Sequence, residues 1–225
     1  HQLVVFSDEI YDGITYDGVQ FVPIASMVRD TLCATFSGLS KVYRAAGYRV
    51  GWVSFSGAVQ RAGEYLAAME LLSSMRMCAG VPAQHAVHAA LGGYQSILDL
   101  TSPGGRLYES RRAVIDSVSR SKFLRLTPPS GSLYAFVEVR QDVLPDFNDQ
   151  QFALELLEEK HVLITPGATF NVPYHNHFRT TILPDPSTLT LVFQRIEAQL
   201  EAWSAKHGAK GAATPKVVNA TGRFK

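Results

Sequence analysis

The chain has 225 residues, a net charge of +1 and a charged fraction of 18%. That length allows one large domain or two small ones, and the near-neutral balance offers no strong field to nucleic acid, an acidic substrate or an anionic membrane. No apolar run approaches the roughly 20 residues of a spanning helix and no basic-then-apolar leader is visible, so a soluble, cytoplasmic protein is the expectation.

In chain order, Leu3 to Phe6 is a short apolar run of the kind a strand buried on both faces shows, and "DTLCATF" (Asp30 to Phe36) reads the same way. "RVGWVSF" (Arg49 to Phe55) makes a third strand. The period then becomes helical over Ala58 to Cys78 and Pro82 to Leu100, and "SPGG" opens a further helix running from Ser102 through Ser119. Strand patterning returns in "GSLYAFVEV" from Gly131, followed by a helix over Asp149 to Lys160, then "HVLITPG" and "HFRTTIL", and a closing helix over Ser187 to Trp203. Residues 205–225 are small, basic and unpatterned, and read as a mobile tail. The fold class is α/β in residues 1–104 and α+β in residues 105–204, with no internal repeat. The chain begins with His1 in place of Met and runs at once into a strand, which reads as a fragment or a processed form.

Cys33 and Cys78 are far apart with no C-x-x-C pattern, and read as reduced, buried residues. His85 and His88 lie three apart on a helix, but no carboxylate or thiol is set to join them, so a surface or core role is favoured over a metal site. "HNH" at 175–177 reads as a loop. A Ser-x-x-Lys nucleophile would need serine at Gly38, a Tyr-x-x-x-Lys pair would need tyrosine at Ser37, and neither phosphate-binding glycine motif occurs.

About a dozen residues separate the second and third strands, near the lower limit for a parallel crossover, so an antiparallel return is expected. Arg49 then starts the returning strand beside the point where Lys41 leaves the outgoing one. The first strand ends in "SDEIY", placing Asp8, Glu9 and Tyr11 at a carboxyl end, where open α/β sheets collect ligands. A lysine, a carboxylate, a phenol and an arginine in one place suit pyridoxal 5'-phosphate. Lys41 would form a Schiff base with its aldehyde, Asp8 would keep its ring nitrogen protonated, Tyr11 would donate to its ring oxygen, and Arg49 with nearby hydroxyls would hold its phosphate. Taken singly these residues have ordinary readings: Asp8 as a cap, Tyr11 as a core aromatic, Lys41 as a surface lysine. Gly47 and Gly51 permit close strand packing.

"SDEIY", "SGLSKVYRAAGYRVGW", "PGATFN" and "HFRTTILP" together resemble the class I/II aminotransferases of fold type I. "MRMCAGVPAQHA" and "ALGGYQSI" are similar to the alanine aminotransferase-like group within them, and the likeness covers residues 1–204. It implies the C-terminal part of the large pyridoxal-phosphate domain, with a mixed, mostly parallel sheet, followed by a small α+β domain. It also implies that Lys41 carries the cofactor as an internal aldimine, with Asp8 on the pyridine nitrogen and Tyr11 on the ring oxygen. Ser40, Arg49 and Ser37 fall to the phosphate, and Arg179, otherwise a routine strand arginine, to the substrate α-carboxylate. Ser37 stands where the group usually has asparagine, and Gly38 where many members have serine. The family's glycine-rich phosphate loop and ring-stacking aromatic precede "SDEIY", so residues 1–225 alone are expected to bind cofactor weakly and to show no turnover. The implied reaction moves an amino group between alanine or a similar amino acid and 2-oxoglutarate or pyruvate, in a homodimer with shared active sites. The other reading is a truncated or non-catalytic aminotransferase-like chain that binds cofactor or partner without turnover.

Overall fold

The computed structural model describes residues 3–207, and the chain divides into two compact units. The first comprises His1–Ile115, Pro128–Ala135 and Thr181–Leu189; the second comprises Asp116–Thr127, Phe136–Thr180 and Thr190–Lys225. From residue 208 on, the tail expected for 205–225 lies outside the described residues.

The first unit is organised by a three-stranded sheet in the order β1 (Val5–Asp8), β2 (Leu32–Gly38), β3 (Gly51–Gly57). β1 pairs with β2 in parallel, with Asp8 opposite Phe36, and β2 pairs with β3 antiparallel, with Gly38 opposite Gly51. The antiparallel return expected from loop length is therefore present. Leu32, Cys33 and Ala34 are successive buried residues, as in a strand covered on both faces. Gly38 is required where β2 meets β3, because a Cβ there would lie 2.8 Å from the Val50 carbonyl oxygen.

The two long helical stretches break into shorter elements: α1 (Gly63–Ser74), then α2 (Val81–Gly92) and α3 (Ile97–Thr101), separated by Gly93. No residue of α1 or α2 is buried, so their apolar positions remain open among the described residues. Cys78, in the link between them, is exposed, contrary to the reading as buried; Cys33 is fully buried, and both are free. The link lies on the surface because neither helix that it joins is covered. α4 spans Arg106–Arg120.

The second unit holds most of a four-stranded sheet in the order β4 (Leu124–Arg125), β5 (Tyr134–Val139), β7 (His177–Thr181), β6 (Thr165–Pro166), of which Tyr134, Ala135 and Thr181 are counted with the first. β5 alternates half-buried and buried residues at the period of two that one covered face demands. Its helices are α5 (Asp149–Lys160) and α6 (Pro186–His207). Asn148 caps α5 by accepting the Gln151 N–H at 3.0 Å. The core centres on Phe147, Phe152, Phe178 and Trp203, with Phe147 lying 5.0 Å from Phe152 and 5.6 Å from Trp203. The strand read in "HVLITPG" is only two residues long, because Gly167–Phe170 coils into a 3-10 turn. "HNH" is only partly a loop: His177 opens β7, and Asn176 bonds Val139 through both its backbone carbonyl and its side-chain amide. No helix among the described residues is long and apolar enough to cross a membrane.

Candidate functional site

Parallel β1 and β2 end at the same sheet edge, and antiparallel β3 begins there, so Asp8, Ser37 and the Arg49–Gly51 segment share one edge. The chain leaves β1 in a tight turn. The Glu9 N–H bonds the Phe36 carbonyl at 2.9 Å, and the Asp8 carboxylate accepts the Ile10 N–H at 3.2 Å. Glu9, also placed at this edge by the sequence, turns inward and is buried, where Oε1 accepts the Ser7 hydroxyl at 2.9 Å and the Ile24 N–H at 3.0 Å. Asp8 is left as the exposed carboxylate of the pair.

Beyond β2, Leu39 and Val42 are buried, and the Ser40–Lys41 pair between them is half-buried. The loop closes through Leu39 N–H to the Val50 carbonyl at 3.1 Å and Ala45 N–H to the Leu39 carbonyl at 2.9 Å. Lys41 Nζ lies 5.9 Å from the centroid of the Tyr11 ring. The Tyr11 hydroxyl bonds the Tyr134 hydroxyl at 3.2 Å, with the rings edge to face. Tyr134 was missed from the sequence because it lies 123 residues from its partner; its only signal was its place at the head of an alternating strand. Arg49 is exposed, in a left-handed conformation (φ 53°), and its guanidinium donates to the Ala46 carbonyl at 2.8 Å. Tyr43 is held above its ordinary pKa by burial, assisted by the Asp12 charge. Tyr16 is pushed up to about 12 by burial, against the opposing Arg111 charge. A cavity of about 880 Å3 between β3 and the α1–α2 pair, lined by Trp52, Ser54, Met77, Gln84 and Leu91 among others, contains none of the predicted residues.

Arg179 belongs to the second unit, on β7 opposite Thr165. Its guanidinium lies over the Phe170 ring at 4.8 Å. Phe170 meets Phe136 edge to face at 5.8 Å, and Phe136 stacks on His177 at 5.0 Å. Burial lowers the His177 pKa, with the Glu138 and Asp149 charges opposing. The structure thus brings Asp8, Tyr11, Ser37, Ser40, Lys41 and Arg49 to one region of the first unit and sets Arg179 on an aromatic platform in the second. An amine beside a phenol, at an edge that carries an exposed carboxylate, is equipped for carbonyl chemistry with proton transfer.

The family model described as "Aminotransferase class I and II" matches residues 1–196. The chain is 42% identical over 196 residues to the alanine aminotransferase of Mycobacterium bovis, covering 87% of this chain and 46% of that protein. It is 40% identical over 203 residues to the glutamate-pyruvate aminotransferase AlaA of Escherichia coli K12, covering 90% and 50%. An Escherichia coli aminotransferase crystal structure superposes with a TM-score of 0.86 at 41% identity, covering 89% and 50%; the alanine aminotransferase from Pyrococcus furiosus gives 0.81 at 32%, with the same coverage. The chain spans about half the length of these relatives. A match across most of the chain, to relatives sharing both sequence and backbone, shows that it belongs to the class I and II aminotransferases, with the fold type I α/β architecture.

Proposed function

We propose that the complete protein is a pyridoxal-phosphate-dependent aminotransferase that moves an amino group between alanine or a similar amino acid and 2-oxoglutarate or pyruvate, acting as a homodimer. The observation that carries this reading is the Lys41 amine over the Tyr11 ring, at the sheet edge where Asp8 ends β1. The donor set fits the group, since it offers an amine for an aldehyde, a carboxylate for a ring nitrogen, a phenol for a ring oxygen, and Arg49 with Ser37 and Ser40 for a phosphate. Bound pyridoxal phosphate supplies an electron-poor ring that takes up the electron pair left when a Cα–H bond breaks.

The Asp8 carboxylate would pair with the ring nitrogen and keep a proton on it. Tyr11, which donates to the Tyr134 hydroxyl here, would turn its single O–H to the ring oxygen and accept from Tyr134 instead, a partner that limits the rotation of the phenol. The Lys41 amine would anchor the cofactor and, when free, would carry a proton to and from the substrate Cα. Arg49, now bonded to the Ala46 carbonyl, would hold the phosphate, and Arg179 would take the α-carboxylate in a two-pronged pair. The names of the relatives support the substrate class.

Borohydride treatment of the complete protein with pyridoxal phosphate should abolish its visible absorbance and fix the cofactor on Lys41 in a peptide map. Labelling of another lysine would remove Lys41 from this role. Lys41→Ala should still retain cofactor through Asp8 and Arg49 and lose turnover by several orders of magnitude, because anchor and proton carrier go together.

A further inference from the structure

Asp149, the first residue of α5, is fully buried, and the reading above gives it no task. Burying a carboxylate is costly unless its oxygens are bonded. Oδ2 accepts the Ala168 N–H at 2.7 Å, whereas Oδ1 accepts no hydrogen bond and faces His175 Nδ1 at 3.7 Å. The Asp149 N–H donates to the His175 carbonyl at 3.0 Å. One residue therefore ties the start of α5 both to the Gly167–Phe170 turn and to the segment leading into β7. That turn carries Phe170, whose ring lies 4.8 Å from the Arg179 guanidinium. Thr165 and Pro166, just before the turn, pair with Arg179 and Phe178. β7 thus holds the turn at its start, and Asp149 holds it at Ala168.

We propose that Asp149 is a positioning residue for carboxylate recognition: through the Ala168 N–H it fixes the Gly167–Phe170 turn, and through Phe170 it fixes the plane of the Arg179 guanidinium. The inference rests on the assignment of Arg179 to the substrate α-carboxylate made above. A two-pronged pair needs the guanidinium and carboxylate nearly coplanar, so orienting the fork in advance lowers the cost of binding. An aromatic face beneath the guanidinium restricts its plane.

The test is spectral titration of the complete, cofactor-loaded protein with two probes. One is 2-methylalanine, which has the α-carboxylate but no Cα hydrogen; the other is isopropylamine, the same skeleton without the carboxylate. Asp149→Ala should weaken 2-methylalanine about tenfold or more, as small misplacements of binding groups do, and leave isopropylamine unchanged. Asp149→Asn keeps an oxygen for the Ala168 N–H and should recover most of the loss. Phe170→Leu, on the exposed side of the turn, should reproduce the loss, and decides the question if Asp149→Ala does not fold. Equal weakening of both probes, or unchanged 2-methylalanine affinity in Asp149→Ala or Phe170→Leu, overturns the proposal. Arg179→Lys separates the two levels. If it leaves 2-methylalanine affinity unchanged, the assignment of Arg179 itself fails; if it weakens that probe while Asp149→Ala does not, only the role of Asp149 falls.

Discussion

Arg111, on α4, has a side chain only 7% exposed, and its guanidinium is bonded through two of its nitrogens. Nη2 meets Asp17 Oδ2 at 2.6 Å, Nε donates to the Pro129 carbonyl at 2.6 Å, and the charge lies 5.1 Å from the Tyr16 ring centroid. The arrangement ties the segment after β1, which carries the candidate residue Tyr11, to the residues preceding β5. Removing Asp17 would leave a buried cation short of its counter-charge. Because Asp17 is itself 49% exposed, water screens part of the interaction. Asp17→Asn, which keeps the left-handed backbone at φ 56° accessible, should therefore cost about 1–2 kcal/mol in urea unfolding, and Arg111→Ala about 2–4 kcal/mol. Equal stabilities of wild type and Arg111→Ala would show that the cluster is decorative. None of this was legible from the sequence, in which Arg111 is one arginine among several and its partners lie 94 and 18 residues away. The place of the Lys41 loop, by contrast, was legible, because it joins two strands whose antiparallel return follows from the length of their connection.

At the scale of elements, the start of α6 shows how local sequence sets a boundary. Asp185 Oδ1 accepts the Ser187 hydroxyl at 2.5 Å and the Thr188 N–H at 2.9 Å, and Oδ2 accepts the Thr188 hydroxyl at 2.6 Å. These bonds, led by those from the Ser187 and Thr188 hydroxyls, hold the Asp185 carboxyl well below the usual carboxylate range. A carboxyl whose pKa is depressed by folding stabilises the fold above its unfolded pKa, near 3.9, and loses that contribution as pH falls through its folded value. Asp185→Ala should therefore lower the thermal midpoint at pH 7, by an amount that shrinks as the pH is taken below about 4. A difference between wild type and variant that stays constant down to low pH would assign the effect to something other than the ionised cap. Elements whose signals lie inside a few residues were read well: α5 spans the predicted residues, and α6 starts one residue from its predicted boundary. β6 and α2–α3 were read too long, because periodicity does not reveal where a glycine turn interrupts the ladder.

At the scale of the whole molecule, the proposed roles are assigned unit by unit: Lys41 lies in the first unit and Arg179 in the second. Arg179→Lys keeps the charge but loses the planar fork, so KM for amino acids should rise roughly tenfold or more while cofactor absorbance stays the same. Unchanged kinetics toward every amino acid would remove Arg179 from the substrate site.

The sequence by itself determined the family, the antiparallel return from β2 to β3, and the shared sheet edge of Asp8 and Arg49, since apolar strand runs, loop length and the lysine motif are all local quantities. Only the tertiary structure decided that Glu9 turns inward while Asp8 does not, and that Tyr134 meets Tyr11. It also decided that a buried Asp149 secures the turn beneath Arg179. Those outcomes depend on side chains brought together by packing across long stretches of chain, where burial and hydrogen-bond pairing, rather than spacing along the sequence, select the partner.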